Sequence, residues 1–582
     1  MTLSDLIVGY LEQFSVEYVF SIPGGPLIPL YDALVRAKKR GGPRSILARH
    51  ESGAAFMADG YARATGKIGV CCATTGPGAT NMITGVAEAY EDHIPMLVIT
   101  AQTPLPTFSL GAFQESSADV TDIVGMFEHV TKFNTLVSHP GQLENKLAAA
   151  FTMALSPPRG PAHLSVPTDI LRAPADGPIR HPNLHKILTE PVAEVDLAAI
   201  ERLARKLKDV LNHNRRVVLL VGHDCNGAAP VIMKFAELIG AHIVSTQRGK
   251  AWVNPYHSLY KGVVGFAGHN TARIALSDET VGLILAVGTN LSEWSTAGWD
   301  KVLMNDRLVH VHNHSSAFAR SPMASLHVLG TISTIFEELI LKLDTQDRDG
   351  GLFLREKETD KQILTLSYPA SGKDDSSYVP GQIEVQAPDA CLLERASGAI
   401  KPQLVISEII QRLPPETCFF VDNSNSVPWT IHYFFHHRPE NYHLSVGFAS
   451  MGWAIGASVG AALGAPNRAV VCLTGDGCFL MSGLEITVAV AEKLPVIFVV
   501  LNDRAYGMIR HAHRLTGKEP VDFAIPPVDF CMMARAVGAE AYTIRRPEDL
   551  VRIDFAALCE KDLPTLLDVH IDPDEPPPLG MF

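Results

Sequence analysis

Short apolar runs alternate with longer amphipathic stretches over most of the chain. In the first block YVFSIPGG, SILARH, GVCCATT and PMLVITA have the length and apolar content of buried parallel strands. LSDLIVGYLEQF, ESGAAFMADGYARATG and ATNMITGVAEAYEDH, lying around and between them, carry helical spacing. This alternation predicts a doubly wound α/β domain over residues 1–178. The Pro-containing stretch RAPADGPIRHPNLHK interrupts the pattern, and a second α/β block over 195–345 follows with RVVLLVG, AHIVSTQ, VGLILAVG and RLVHVHN as strands. Residues 346–395 turn polar and irregular and read as a linker. A third block over 396–575 alternates again, with TCFFVDN, AVVCLTG, PVIFVVLN and TLLDVHI as strands. The expected fold is three doubly wound parallel-sheet domains in series.

The chain's 582 residues, 47% hydrophobic and 19% charged, are enough for several cores. A formal net charge of -13 without a long basic run argues against nucleic acid or an anionic membrane as partner. The first twenty residues lack a charged start and a small-residue cleavage site, and no stretch is apolar enough to span a membrane. The nine cysteines are scattered, as suits reduced thiols, and a cytoplasmic location is expected.

The most specific chemistry lies in the third block. The strand Ala469–Leu473 runs into TGDGCF, then the helical run MSGLEITVAVAEKL, then the strand VIFVVLN and the loop DRAYG. A glycine turn between strand and helix presents free backbone N–H groups to a phosphate, with Gly475, Gly477 and Cys478 as the candidate cradle. Asp476 would face a metal. Asp503, 27 positions later, and the carbonyl of Ala505 would complete its protein ligands. Mg²⁺ takes its remaining oxygens from phosphate and water. A lone GDG also fits a plain turn, and it is the coupling to a helix, a strand and Asn502-Asp503 that makes the pattern specific.

At these residues the chain resembles the thiamine diphosphate enzymes, in particular the acetohydroxyacid synthase, pyruvate oxidase and benzoylformate decarboxylase group. The resemblance covers nearly the whole chain, in the order pyrimidine-binding, middle and diphosphate-binding domains. It implies that Glu51, in ARHESGAAF at a strand-to-helix junction, bonds N1′ of the cofactor and favours the imino tautomer whose N4′ removes the C2 proton. Taken alone, Glu51 also fits an acid placed at a helix start by the dipole. The resemblance further implies cofactor contacts from Pro23, Gly24, Gly76 and Asn81. Met451 would hold the cofactor bent, Asn425 and Ser426 would meet the diphosphate, and Phe113 and Gln114 would line the substrate cleft. A core methionine, a simple turn and a surface loop are the ordinary alternatives for these three groups. His50, His511 and His513 could act as proton donors or carboxylate partners, or be structural.

The chain departs from the synthases at three places. It has Asn290 where they have an arginine used for flavin and for the second keto acid's carboxylate, Ala512 where they have a tryptophan, and Thr168 where they have a lysine. GHDCNGA is too loose for a nucleotide fingerprint, so FAD is possible but not favoured. Asp503 stands where the family usually has asparagine. The resemblance implies a carboligase that decarboxylates a 2-oxo acid donor, pyruvate above all, and transfers the acyl carbanion equivalent to a carbonyl acceptor, here an aldehyde or ketone. Acetolactate synthase proper, and a 2-oxo acid decarboxylase or oxidase, are the alternatives. A homodimer or dimer of dimers is implied too, because the family pairs the first domain of one subunit with the third of another.

Overall fold

The computed structural model describes residues 1–175, 177–190, 194–344, 383–384, 400–436, 438–519 and 521–579. Apart from residues 383 and 384, the expected linker 346–395 lies outside them. Among the described residues three six-stranded sheets form. The first contains β1 (Tyr18–Ser21), β2 (Arg44–Leu47), β3 (Gly69–Ala73), β4 (Met96–Gln102), β5 (Phe133–Leu136) and β6 (Pro161–Pro167) in the order β2-β1-β3-β4-β6-β5. The second contains β7 (Arg216–Val221), β8 (His242–Ser245), β9 (Tyr260–Val263), β10 (Val281–Val287), β11 (Leu308–His312) and β12 (Leu326–Leu329), ordered β12-β11-β10-β7-β8-β9. The third contains β13 (Cys418–Val421), β14 (Tyr442–Leu444), β15 (Val470–Gly475), β16 (Val496–Asn502), β17 (Glu540–Ile544) and β18 (Thr565–His570), ordered β14-β13-β15-β16-β18-β17. The central pairs of each sheet run parallel. Parallel sheets are covered on both faces, which is why β3, β4 and β16 are buried along their whole length.

The chain divides into two compact units. One comprises Met1–Pro191, Glu416–Val427 and His443–Pro573, and so contains the first sheet and nearly all of the third. The other comprises Val192–Pro415, Pro428–Tyr442 and Asp574–Phe582, around the second sheet. The helix Pro402–Arg412 and residues 428–442 thus belong with the second sheet although the sequence places them in the third block.

Within the first unit one apolar cluster runs from Phe20, Ile46 and Met57 through Trp453 and Ile455 to Phe498 and Val500. The helices Glu51–Thr65 and Trp453–Gly464 pack at its centre. They approach so closely that a Cβ on Gly60 would lie 1.9 Å from Ala457 O, and one on Gly460 would lie 1.9 Å from Met57 O. Glycine at these points lets two backbones meet without side chains between them.

The GDG region differs in detail from the sequence expectation. The strand extends to Gly475 and the helix begins at Asp476 itself, running to Ser482 before a 3₁₀ turn and a second short helix, Ile486–Ala491. Gly475 and Gly483 bracket the first of these helices, and the interruption of the expected single helical run begins at Gly483.

Candidate active site

Both groups of candidate residues sit at the C-terminal ends of parallel strands, where open α/β sheets hold ligands. In the first sheet the chain leaves β2 and enters the helix Glu51–Thr65. His50 caps that helix, its Nδ1 accepting the Ser52 N–H at 3.2 Å. The ring is thereby given a structural job. Glu51 is the first helical residue and is nearly buried, and its Oε2 accepts from Asn81 Nδ2 at 3.1 Å. Gly78 flanks it: a Cβ there would lie 3.2 Å from Glu51 Oε1 and 2.8 Å from Thr74 Cγ2. Gly24 packs on the other side of Thr74, where a Cβ would come within 2.3 Å of the Thr74 Cβ. Glu51, Asn81, Gly78 and Gly24 are therefore brought together, with Pro23 exposed beside them.

The GPG turn is held from a distant loop. Gly76 has φ 64° and ψ -122°, a conformation open to glycine, and its N–H donates to Ser116 Oγ at 2.8 Å. Thr75 Oγ1 is within 3.0 Å of Gln102 Oε1, 2.9 Å of the Gln114 carbonyl and 2.7 Å of Ser116 Oγ. Gln114, itself at φ 59°, thus contacts the turn through its backbone. Phe113 projects to the surface, 86% exposed.

In the third sheet the loops after β13, β15 and β16 converge. Asp476 is buried; its Oδ1 accepts the Gly477 N–H at 2.8 Å, and its Oδ2 is buried with no hydrogen-bond partner. Asp503 Oδ2 accepts from Asn425 Nδ2 at 3.1 Å and lies 3.6 Å from Arg510 Nη2. Burial, with the charge of Asp503 next, pushes the Asp476 carboxyl up to about 7, and burial pushes Asp503 up to about 6 against the pull of Arg510. Gly507 leaves room for this pair, since a Cβ there would fall 1.9 Å from Asp503 Oδ2 and 2.3 Å from Asn425 Nδ2. Arg504, between Asp503 and Ala505, adopts φ 55°, a conformation uncommon for a residue with a Cβ.

An orphaned buried carboxylate oxygen beside a second buried carboxylate is a donor set that suits a hard divalent cation. Asp476, Asp503 and the Ala505 carbonyl could hold one. Asn502 points elsewhere, donating from Nδ2 to Asp568 Oδ1 at 2.8 Å.

The neighbouring loop is organised by Asp422, which sequence reasoning missed. Its carboxylate accepts from Gly452 N at 2.9 Å and Thr474 Oγ1 at 2.7 Å. Ser426 Oγ donates to the Asp422 carbonyl at 2.8 Å, Cys478 Sγ donates to the Asn423 carbonyl at 3.4 Å, and Asn423 Nδ2 donates to Ser450 O at 3.1 Å. These bonds fix both sides of Met451, which is half-buried at the mouth of the turn. Glu485 was also missed: its buried carboxylate accepts the N–H of His50 at 3.0 Å and of Arg49 at 3.1 Å, immediately ahead of Glu51. A lone acid in the apolar run LEITVAVA was the available signal.

The points of departure from the synthases fall as follows. Thr168 is buried at the start of a short helix, Ala512 is exposed and Asn290 lies in the unit built on the second sheet. Arg510 is engaged, donating to Pro573 O at 2.5 Å beside Asp503. His511 is buried, and the His513 ring lies 6.0 Å from that of Phe523.

Three segments match families of known proteins, and together they define the class. Residues 1–123 match the thiamine pyrophosphate enzyme N-terminal TPP binding domain, 204–339 its central domain and 422–569 its C-terminal TPP binding domain. The acetolactate synthase isozyme 2 large subunit of Escherichia coli K12 is 30% identical over 98% of this chain and 96% of its own length. A probable acetolactate synthase large subunit of Methanococcus aeolicus is 28% identical over 98% and 92%. The acetolactate synthase large subunit of Parasynechococcus marenigrum is 30% identical over 96% and 86%. The chain belongs to the thiamine pyrophosphate enzyme family. Among the described residues no helix is long and apolar enough to cross a membrane.

Proposed function

We propose that this thiamine diphosphate enzyme is a carboligase joining the two-carbon unit from pyruvate to an aldehyde or uncharged ketone. The bound cofactor supplies the electron sink for the carbanion left by decarboxylation. Asp476, Asp503 and the Ala505 carbonyl hold Mg²⁺, and the backbone at Gly475, Gly477 and Cys478 with Asn425 and Ser426 meets the diphosphate. Glu51, oriented by Asn81, exchanges a proton with the pyrimidine. Pro23, Gly24 and Gly76 bring backbone close to the ring, Met451 buttresses it, and Phe113 and Gln114 face the substrate.

The observation that carries the choice of acceptor is Asn290, which offers no fixed cation for a second carboxylate. A charge-assisted hydrogen bond of that kind contributes roughly 1.5 to 3 kcal/mol. Arg510 is no ready substitute, since it is tied to Pro573 and Asp503. Acetolactate synthesis, with pyruvate as acceptor, is the second reading, favoured by full-length similarity to proteins of that name. Competition decides between them: pyruvate is supplied with equal 2-oxobutyrate and a medium-chain aldehyde, and the products are quantified. Dominance of the 2-oxo acid product overturns the first reading in favour of the second. A colourless preparation goes with the absence of FAD.

The active unit is at least a homodimer, in the cytoplasm. Exposed Leu480, Met481, Leu484, Tyr506 and Ile509 lie in the segments that carry Asp476 and Asp503, and apolar surface of this kind suits a second copy. Sedimentation at nanomolar concentration tests it, and a fully active monomer would contradict it.

A further inference from the structure

The second sheet carries a cluster of metal-ligating side chains outside the site described above. Asp224 lies in the 3₁₀ turn that follows β7, and His312 ends β11 with His314 two residues beyond. With β7 and β10 adjacent and β11 beyond, the sheet order reverses direction between β7 and β10. The three side chains thus stand over the crevice where doubly wound sheets hold ligands. His312 Nε2 is 3.2 Å and His314 Nε2 3.9 Å from Asp224 Oδ2, and one ligand atom from each residue lies within 4.8 Å of the others. Both imidazoles are largely buried, with ring centroids 4.1 Å apart.

We propose that Asp224, His312 and His314 form a site for a divalent transition cation of the Zn²⁺ class, with its remaining positions open to water. Two imidazoles and one carboxylate are a ligand set for Zn²⁺, Co²⁺ or Fe²⁺ and a poor one for Mg²⁺. The surroundings support it. His314 Nδ1 lies 2.8 Å from Ser316 Oγ, an outer partner that can take the Nδ1 proton's hydrogen bond when Nε2 binds a cation. The Asp224 N–H donates to Gly288 O at 2.9 Å, pinning that loop to the end of β10. The nearby His310 stands outside the set, both of its nitrogens lying 2.8 Å from Ser321 Oγ and Thr289 O. Binding through Nε2 moves the His312 proton to Nδ1, so that the ligand stays a neutral imidazole. A shift to Nδ1 gives up the long 3.4 Å hydrogen bond from the His314 N–H.

The test uses the full chain, stripped with chelator, reloaded with thiamine diphosphate and millimolar Mg²⁺, and titrated with Co²⁺. One equivalent should bind with the ligand-field absorption of imidazole-coordinated Co²⁺, and Zn²⁺ should displace it and raise the Tm. Asp224→Asn and His314→Gln, chosen to keep side-chain shape, should weaken Co²⁺ binding about a hundredfold and abolish the Zn²⁺-dependent Tm rise. Ser316→Ala should weaken binding about tenfold, as losses of outer partners do. Asp476→Asn should leave the absorption intact. A Co²⁺ spectrum without imidazole bands, or binding unchanged in the Asp224 and His314 variants, overturns the proposal and leaves Asp224–His312 as a close polar contact only.

Discussion

The indole Nε1–H of Trp453 donates to Asp59 Oδ1 at 3.0 Å, and the same oxygen receives the Arg63 Nε–H at 2.6 Å. Arg63 reaches on to Asp92 at 2.7 Å, and Ser445 donates to Asp92 at 2.8 Å. One buried guanidinium thereby balances two buried carboxylates, and residues of the third block supply the remaining donors. Arg63→Met, which keeps the volume but removes the charge, should destabilise the protein by roughly 3–5 kcal/mol because both acids are left uncompensated. Trp453→Phe should cost about 1.5–3 kcal/mol, the loss of one hydrogen bond to a charged group, because Arg63 still donates to the same oxygen. Urea unfolding of both variants checks the ranking.

Gly60→Ala should be among the most damaging small substitutions in the chain. The added methyl would meet the Ala457 backbone, which cannot swing aside as a side chain can. Overpacking of this sort costs about 1–3 kcal/mol or more. Gly66→Ala offers a control: nothing lies within 4 Å of its Cβ position, and its cost should come from its φ of 72° alone. Equal loss of soluble, folded protein from a change at both sites would contradict the packing argument.

Stability should depend on Glu485 between about pH 5 and pH 8. Burial raises its carboxyl from 4.5 to about 7, against the lowering effect of the Arg49 and His50 N–H groups and the Arg49 charge. Because the folded state holds the proton more tightly, this contribution is fully present below 4.5 and is lost as pH rises through about 7. Glu485→Gln keeps an oxygen for the two N–H groups and removes the titration. The variant should therefore gain on the wild type as pH rises, by at most about 3 kcal/mol. Denaturation at pH 5 and pH 8 measures it, and a pH-independent difference rules it out.

Asp476→Asn should have opposite effects on the empty and the loaded protein. Without metal it relieves repulsion between Asp476 and Asp503, so the chelated variant should melt no lower than chelated wild type. With Mg²⁺ and thiamine diphosphate it should lose at least tenfold in affinity, about 1.4 kcal/mol. Calorimetric titration in parallel with melting curves separates the two effects. A variant that binds both as tightly as wild type would remove Asp476 from the site.

Much of this architecture is legible in the chain, and the parts that are not share a physical cause. The strands that stand out as apolar runs are β1 to β4, β7, β8, β10, β11, β13, β15, β16 and β18. Of the strands that do not, β5, β9, β12, β14 and β17 are sheet edges. An edge such as β17, EAYTI, buries Ala541 and Ile544 but leaves Tyr542 and Thr543 exposed between them, and so never builds a continuous run. β6 is interior, yet PAHLSVP is bounded by prolines and carries His163, kept neutral by burial and bonded to Thr100 and Asn134. The site is legible where its parts are close in sequence, as Asp476 and Asp503 are through one helical stretch and one strand. It is illegible where they are not: the bond between Arg49 and Glu485 joins residues 436 positions apart.

The strand orders make two of the three sheets counterparts of one another. Numbered from the start of each sheet, the first and third both read 2-1-3-4-6-5, whereas the second reads 3-2-1-4-5-6 from its β9 edge. The helix Glu51–Thr65 follows the second strand of its sheet, and Trp453–Gly464 follows the second strand of its own. These equivalent helices are the two that meet through glycine, with Gly456 against Phe56 and Gly464 against Tyr61 and Thr65. Matching topology joined through matching elements makes the two sheets of this unit internal counterparts of one another. The second sheet, of different topology, interrupts that pair in the sequence. The counterparts differ in chemistry, one carrying the acid at Glu51 and the other the paired acids at Asp476 and Asp503.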